Sequence, residues 1–183
     1  MNKLNKDICE ILIDPQQIQA ICQRLGQQIT KDYQNNPPIL VGLLKGCLPF
    51  MADLMRYIEL PIETHYMTVS SYHGQTTSSG NVLVKYDLER AVVDQDILII
   101  EDIIETGLTI TTVIDLFLQR GAKSVKVVVL LDKPDGRLVN YQPAYVGQII
   151  PNKFVIGYGL DYKELYRNLP YVGVLDPKIY KKE

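Results

Sequence analysis

The stretch Ile97-Leu98-Ile99-Ile100-Glu101-Asp102 decides the fold class of this 183-residue chain. Its four consecutive aliphatic residues are typical of a strand that is buried on both faces of a parallel sheet. Two carboxylates, Glu101 and Asp102, close the stretch. Sheets of this kind bind their ligands beyond the carboxyl ends of the strands. We therefore predict an α/β fold in which the acidic pair stands at the mouth of a binding site.

The next residues, Glu105-Thr106-Gly107-Leu108-Thr109, form a turn that carries hydroxyl groups and a glycine. A helix is predicted after it from apolar residues at helical spacing: Ile110, Val113, Ile114, Phe117 and Leu118. The first N–H groups of a helix lack internal partners and lie at its positive end, so the turn is a candidate phosphate cradle. The Walker loop and the dinucleotide fingerprint both match poorly, because the Gly-Lys-Ser/Thr ending and the extra glycines are missing. An ordinary capped helix after a buried strand is the alternative.

This stretch closely resembles the 5-phosphoribosyl-1-pyrophosphate (PRPP) binding motif of the type I phosphoribosyltransferases. In that family the motif holds a phosphate at the turn, while the acids face ribose hydroxyl groups or a hard cation such as Mg²⁺. The resemblance implies that Glu101 and Asp102 hold the ribose hydroxyls, directly or through Mg²⁺. It also implies that the 5-phosphate is bound by the whole turn, namely Glu105, Thr106, Gly107, Leu108 and Thr109.

A second candidate anion site follows the predicted strand Ile39–Leu44, where Lys45 and Gly46 come next in the chain. Backbone N–H groups and one cation would converge there, although a plain strand-to-helix turn explains the same residues. Leu44-Lys45-Gly46 resembles the pyrophosphate loop of the phosphoribosyltransferases, whose Leu–Lys peptide is often cis. The resemblance assigns pyrophosphate binding to Lys45 and Gly46.

A polar loop, Ser70–Gly80, joins two strands predicted at Ile62–Val69 and Val82–Tyr86. It is either a long hairpin connection or a mobile lid over a site. Its Ser71-Tyr72 pair resembles the pair in the lid of the 6-oxopurine branch of the family. We expect neither histidine to bind a metal, because His73 is typical of a solvated loop residue and His65 lies in a predicted strand without a partner histidine or cysteine.

The second informative stretch runs from Pro151 to Tyr162 and contains Lys-Phe-Val followed by Gly-Tyr-x-Leu-Asp-Tyr. With it, the resemblance narrows to the hypoxanthine (hypoxanthine-guanine) phosphoribosyltransferases and covers about Asp14 to Asp176. It implies that Phe154 stacks on the purine, that Val155 pairs with the purine edge through its backbone, and that Lys153 lines the same site.

Two further ionic roles are implied by the same resemblance. Asp161 would ligate a second Mg²⁺ on pyrophosphate, and Arg167 would bind pyrophosphate bidentately. Lys133 follows the predicted strand Val125–Leu131, where it would donate to the purine O6; a solvated turn lysine is the alternative.

One residue departs from the family pattern. Glu105 stands where the family usually has an aspartate that exchanges a proton with N7 of the purine. The resemblance therefore makes Glu105 the candidate catalytic acid or base, with one methylene more than usual.

The resemblance implies a single domain over residues 1–183, built on a central, mainly parallel sheet flanked by helices. A small hood over the purine site would come from the N-terminal segment and from about residues 145–183. The implied activity is Mg²⁺-dependent purine salvage, in which the 5-phosphoribosyl group of PRPP moves to N9 of hypoxanthine or guanine. Family members are usually homodimers or homotetramers.

The composition is consistent with an enzyme that acts on small molecules. A formal charge of −2 favours neither nucleic acid nor an anionic membrane as partner. The three cysteines form no CxxC pair, which favours a reducing cytoplasm. The alternatives are a phosphoribosyltransferase for another base, such as xanthine or adenine, and a regulator of the same fold that binds RNA.

Overall fold

The computed structural model describes residues 6–71 and 82–181. Ser71 is the last residue of a strand, whereas the predicted lid residue Tyr72 and the loop histidine His73 lie outside the described residues. The expectation of a lid is therefore left as a prediction.

The larger sheet of the described chain contains the strands β2 (Ile39–Leu44), β3 (Glu63–Ser71), β4 (Val82–Tyr86), β5 (Asp96–Ile104), β6 (Ser124–Asp132) and β7 (Tyr145–Ile149). Their order across the sheet is β4-β3-β2-β5-β6-β7. Neighbouring strands are parallel, except that β4 runs antiparallel to β3. Because β2, β5 and β6 are parallel neighbours, the residues that follow them meet at one edge of the sheet.

Helices cover both faces of this sheet, which is why β5 is apolar on both sides. Leu98 and Ile100 pack in a core with helices α1 (Pro15–Asp32) and α2 (Leu48–Leu54). Ile97 and Ile99 point to the other face, where they pack with α3 (Leu108–Gln119). Burial of four aliphatic side chains contributes several kcal/mol, at roughly 1.5–3 kcal/mol each. The prediction of a doubly covered, mainly parallel sheet is confirmed.

Local sequence sets the ends of the helices. Asp14 caps α1 by accepting a hydrogen bond from the Gln17 backbone, and the Gln17 side chain accepts in return from the Asp14 N–H. Gly121 follows the end of α3 with a φ of +83°, a conformation in which a side chain would be strained. In residues 6–71 and 82–181, none of the helices combines the length and apolar character of a membrane span.

A smaller antiparallel sheet has the order β1-β9-β8 and joins the two ends of the described chain. Its strands are β1 (Ile8–Ile13), β8 (Val155–Ile156) and β9 (Val172–Leu175), and a short helix, α4 (Pro177–Tyr180), follows. The expected hood boundary near residue 145 needs correction, because β7 pairs with β6 in the larger sheet. The C-terminal share of the smaller sheet begins only at Val155.

Candidate active site

The carboxyl ends of β2, β5 and β6 bring three sequence-predicted segments to one crevice. They are the loop after Leu44, the turn after Ile104 and the residue Lys133, whose N–H donates to the Ile104 carbonyl at 2.9 Å. Ligands bind at such strand ends because the connecting loops there can converge. The crevice is therefore the candidate active site.

The acidic pair lies inside β5 rather than after it. The sequence predicted that the strand closes at Ile100, but Glu101 pairs with Val129 and the strand continues to Ile104. The prediction of the strand end was wrong because the ladder with β6 extends beyond the aliphatic run. Both carboxylates are thus held by strand backbone at the floor of the crevice.

Partial burial disfavours the charged form of these two carboxylates. It raises the pKa of Glu101 well above its ordinary value, and the neighbouring Asp102 raises it further. Burial also raises the pKa of Asp102 to about 6, although its Oδ1 accepts a 2.8 Å hydrogen bond from the Ile103 N–H. Oε2 of Glu101 is buried without a hydrogen-bond partner. The pair therefore offers at least one acceptor oxygen, Oε2 of Glu101, that the protein itself leaves unsatisfied.

Two glycines allow the pyrophosphate-type loop to approach the acidic pair. A Cβ on Gly46 would overlap Oδ2 of Asp102, and a Cβ on Gly159 would overlap the Gly46 carbonyl oxygen. Gly159 also has a φ of +98°. The Leu44–Lys45 peptide is cis, as the resemblance led us to expect. Only glycine fits at Gly46, since the loop backbone rests directly on the carboxylate.

The turn after β5 has the geometry of an anion site. Gly107 adopts a φ of +82° and immediately precedes α3, and Oγ1 of Thr106 accepts from the Leu108 N–H at 3.3 Å. A cavity of about 200 Å³ lies at this helix end, with Glu101, Thr106 and Thr109 among the residues that line it. The predicted cradle thus shares one cavity with Glu101 of the acidic pair.

Lys133 and Glu105 form an ion pair that the sequence did not reveal. Nζ of Lys133 lies 2.9 Å from Oε2 of Glu105. The Lys133 side chain is only 6% exposed, whereas that of Glu105 is 48% exposed. A Cβ on Gly136 would lie 2.7 Å from Cγ of Glu105, so this glycine makes room for the longer acid. The solvated-turn alternative for Lys133 is excluded by its burial.

A cluster of charges borders the crevice on the side of Gly159. Nη2 of Arg167 contacts Oδ1 of Asp161 at 2.6 Å, and its Nη1 donates to the Gly159 carbonyl at 2.7 Å. Glu164 joins this cluster, with Oε2 at 2.8 Å from Nζ of Lys45. Sequence analysis missed Glu164, although its position three residues after Asp161 and three before Arg167 was a usable signal.

Phe154 and Val155 stand at the edge of the smaller sheet. Phe154 is 40% exposed and stacks on Tyr180 of α4, with ring centroids 4.8 Å apart. β8 pairs with β9 on one side only, so Val155 belongs to an edge strand. Lys153 contacts Glu10 at 2.5 Å, a partner that sequence analysis did not identify.

Residues 10–163 match the family model described as phosphoribosyl transferase domain. The chain belongs to the phosphoribosyltransferase family. The hypoxanthine-guanine phosphoribosyltransferase of Lactococcus lactis subsp. lactis (strain IL1403) is 50% identical over 179 residues, which cover 98% of this chain and 97% of that protein. The protein of the same description from Streptococcus pneumoniae (strain ATCC BAA-255 / R6) is 50% identical over 177 residues, covering 97% and 98% of the two chains.

A solved structure gives the same result for the fold. The crystal structure of a hypoxanthine phosphoribosyltransferase from Staphylococcus aureus, in a tetragonal space group, superposes with a TM-score of 0.95 at 47% identity. The match covers 99% of this phosphoribosyltransferase chain and 98% of the other. The expected phosphoribosyltransferase fold is confirmed.

Phosphoribosyltransferases generally use Mg²⁺ with PRPP, and the acidic pair fits such an ion. Mg²⁺ is usually bound by one or two carboxylates, several waters and substrate phosphates. Glu101 supplies a buried oxygen without a partner, and Asp102 has a second oxygen facing Gly46. Within the two described ranges, no group of three or more His, Cys, Asp or Glu side chains forms a complete metal site.

The burial of Asp102 predicts a gain in stability when its charge is removed. A carboxyl whose pKa rises from 3.8 to about 6 on folding destabilises the folded state increasingly as the pH rises through that window. We expect Asp102→Asn to raise the free energy of unfolding of the ligand-free protein by about 1–2 kcal/mol at a pH above 7. Urea unfolding at several pH values measures this effect.

The gain should shrink as the pH falls below about 6, because wild-type Asp102 is then protonated. Asp115→Asn is the matched control, since Asp115 is exposed in the second half of α3. A variant at Asp102 that is less stable than the wild type above pH 7 would contradict the predicted cost of the buried charge.

Proposed function

We propose that this chain transfers the 5-phosphoribosyl group of PRPP to N9 of a 6-oxopurine, hypoxanthine or guanine. The products are the purine nucleoside monophosphate and pyrophosphate. The observation that carries this proposal is the buried Lys133, whose Nζ pairs with Glu105 at the start of the anion turn. The relatives named as hypoxanthine-guanine phosphoribosyltransferases support the same substrate class.

The ribose and its phosphate would be held by two parts of the crevice. Glu101 and Asp102 would face the 2- and 3-hydroxyl groups, since carboxylate oxygens accept hydrogen bonds from hydroxyls and Oε2 of Glu101 has no partner. The turn from Glu105 to Thr109 takes the 5-phosphate at the positive end of α3. Holding the ribose at both ends places C1 in line between the purine and the leaving group, which lowers the entropic part of the barrier.

The purine would lie between the two sheets. The Lys133 ammonium can donate to the purine O6, while Phe154 offers an exposed ring face and Val155 offers backbone groups of an edge strand. Lys153 stands next to Phe154 at the rim. Ammonium groups donate but cannot accept hydrogen bonds, so this site favours an oxo group over an amino group at C6.

Pyrophosphate would bind where Lys45, Gly46 and Arg167 meet, with Asp161 as a carboxylate ligand of the ion that accompanies it. A bound Mg²⁺ would neutralise the negative charge that develops on the leaving pyrophosphate. Arg167 and the backbone of the loop at Gly46 supply further stabilisation of that charge, and Ser71 and Tyr72 are proposed to help exclude water.

Glu105 is the proposed acid or base for the purine. The bond between C1 and pyrophosphate breaks as the bond between C1 and N9 forms, and the purine loses one proton. Glu105 can exchange this proton at N7, and its pairing with Lys133 holds the carboxylate beside the O6 donor. We further propose that the enzyme is a homodimer or homotetramer of the cytoplasm, as is usual in the family; all three cysteines are free thiols.

The direct test measures pyrophosphate release from PRPP and Mg²⁺ with each nucleobase in turn. We expect turnover with hypoxanthine and guanine and at most weak turnover with adenine. Turnover with adenine alone, or none with any purine, would overturn the proposal.

Base choice should depend on Lys133. We expect Lys133→Gln to lower kcat/KM for hypoxanthine and guanine by about tenfold to a hundredfold and to relax discrimination against adenine, because an amide both donates and accepts. Steady-state kinetics with the three bases measure both effects. Lys126→Gln, at the exposed start of β6, is the matched control. Unchanged kinetics with hypoxanthine would contradict the assignment of Lys133 to the purine site.

Glu105 should matter for turnover more than for binding. We expect Glu105→Gln to lower kcat about a hundredfold, with little effect on PRPP affinity, because general acid–base help is of that size. Glu105→Asp should keep most of the activity, since it retains the carboxylate. The measurement is kcat against pH for the wild type and both variants. If Glu105→Gln has the same kcat as the wild type at every pH, another group transfers the proton.

A further inference from the structure

Glu164 contacts both side-chain cations that are proposed to bind pyrophosphate. Its Oε2 lies 2.8 Å from Nζ of Lys45, and its Oε1 lies 3.4 Å from Nη2 of Arg167. The two oxygens of one carboxylate thus bridge two cations, as an oxygen pair of a phosphate group would. Neither the acidic pair nor Asp161 makes an ion pair with Lys45 among the described residues.

The backbone holds Glu164 in this position. Its N–H donates to Oδ2 of Asp161 at 2.8 Å, and its φ is +66° in a tight turn. The same turn is tied to the crevice, because the Gly159 N–H donates to the Arg167 carbonyl at 3.0 Å and Gly159 packs on Gly46. The carboxylate therefore stands over the pyrophosphate loop as part of a fixed turn.

We propose that Glu164 is an internal competitor for the pyrophosphate site, which neutralises Lys45 and Arg167 in the free enzyme and is displaced by the pyrophosphate group. The inference rests on the proposed function, because it takes Lys45 and Arg167 as pyrophosphate ligands. It adds a role for a residue that touches neither the ribose nor the purine side of the crevice. Its consequence is weaker binding, and hence faster release, of pyrophosphate.

The exposure of the pair sets the expected size of the effect. The side chains of Lys45 and Glu164 are 62% and 65% exposed, so water screens their attraction. A polyanion that brings several charges can replace such a pair easily, and Glu164 would tune affinity without blocking the site. Removal of the carboxylate should therefore tighten pyrophosphate binding by about two- to fivefold.

The test measures the dissociation constant of pyrophosphate by isothermal titration calorimetry at a fixed Mg²⁺ concentration. Glu164→Gln keeps the length of the side chain and removes its charge, and we expect it to bind pyrophosphate two- to fivefold more tightly than the wild type. Glu59→Gln is the matched control, because exposed Glu59 lies before β3 at the opposite end of the sheet. It removes the same charge and should leave the constant unchanged.

A double-mutant cycle separates the effect of the contact between Glu164 and Lys45 from the effect of removing one negative charge from the protein. In a Lys45→Met background, Glu164→Gln should lose most of its effect, since its closer partner is gone. Equal or weaker binding by Glu164→Gln would overturn the proposal, as would the same gain for Glu59→Gln or a full effect without Lys45. These outcomes leave the proposed function standing, because that function is tested separately and fails if the wild type turns over adenine alone or no purine at all.

Discussion

The partial burial of two adjacent carboxylates in the central strand is the constraint on which the rest of the site depends. Glu101 and Asp102 lie in β5, where burial raises the pKa of both groups. Such groups destabilise a fold unless a cation or a donor satisfies them. The loop at Gly46 covers Asp102 without a side chain, and one oxygen of Glu101 has no partner at all. The fold therefore bears a cost that the proposed ribose and Mg²⁺ ligands would relieve.

The other charged side chains proposed to bind substrate pair with one another across the crevice. Lys133 pairs with Glu105, Arg167 pairs with Asp161, and Lys45 pairs with Glu164. Each pair contains a residue proposed to meet a substrate group. Substrate binding would then exchange protein ion pairs for ion pairs with the ligand, so that its net gain is smaller than the sum of its contacts. This exchange favours turnover over tight binding.

Local sequence predicted the strands and helices that form the crevice, but not the ion pairs within it. The aliphatic run before Glu101 predicts a buried strand, and Gly107 predicts the turn that follows it. Both features are set by local sequence. The extension of β5 to Ile104 was missed because it depends on the ladder with β6. The pair of Lys45 with Glu164 joins residues 119 positions apart, and only the three-dimensional fold brings them together. Tyr180 stacks on Phe154 for the same reason.

The titration of Asp102 tests most directly whether a buried acidic pair is the ligand-binding floor of the crevice. Carbon-13 NMR of the aspartate carboxyl carbons, assigned through Asp102→Asn, measures the pKa of this group in the free protein and in the presence of Mg²⁺ and PRPP. We expect the pKa to be about 6 in the free protein and to fall by more than one unit on binding, because the ligand-bound cation favours the ionised carboxylate. A pKa that is the same with and without Mg²⁺ and PRPP would contradict the assignment of Asp102 to the ribose and metal site.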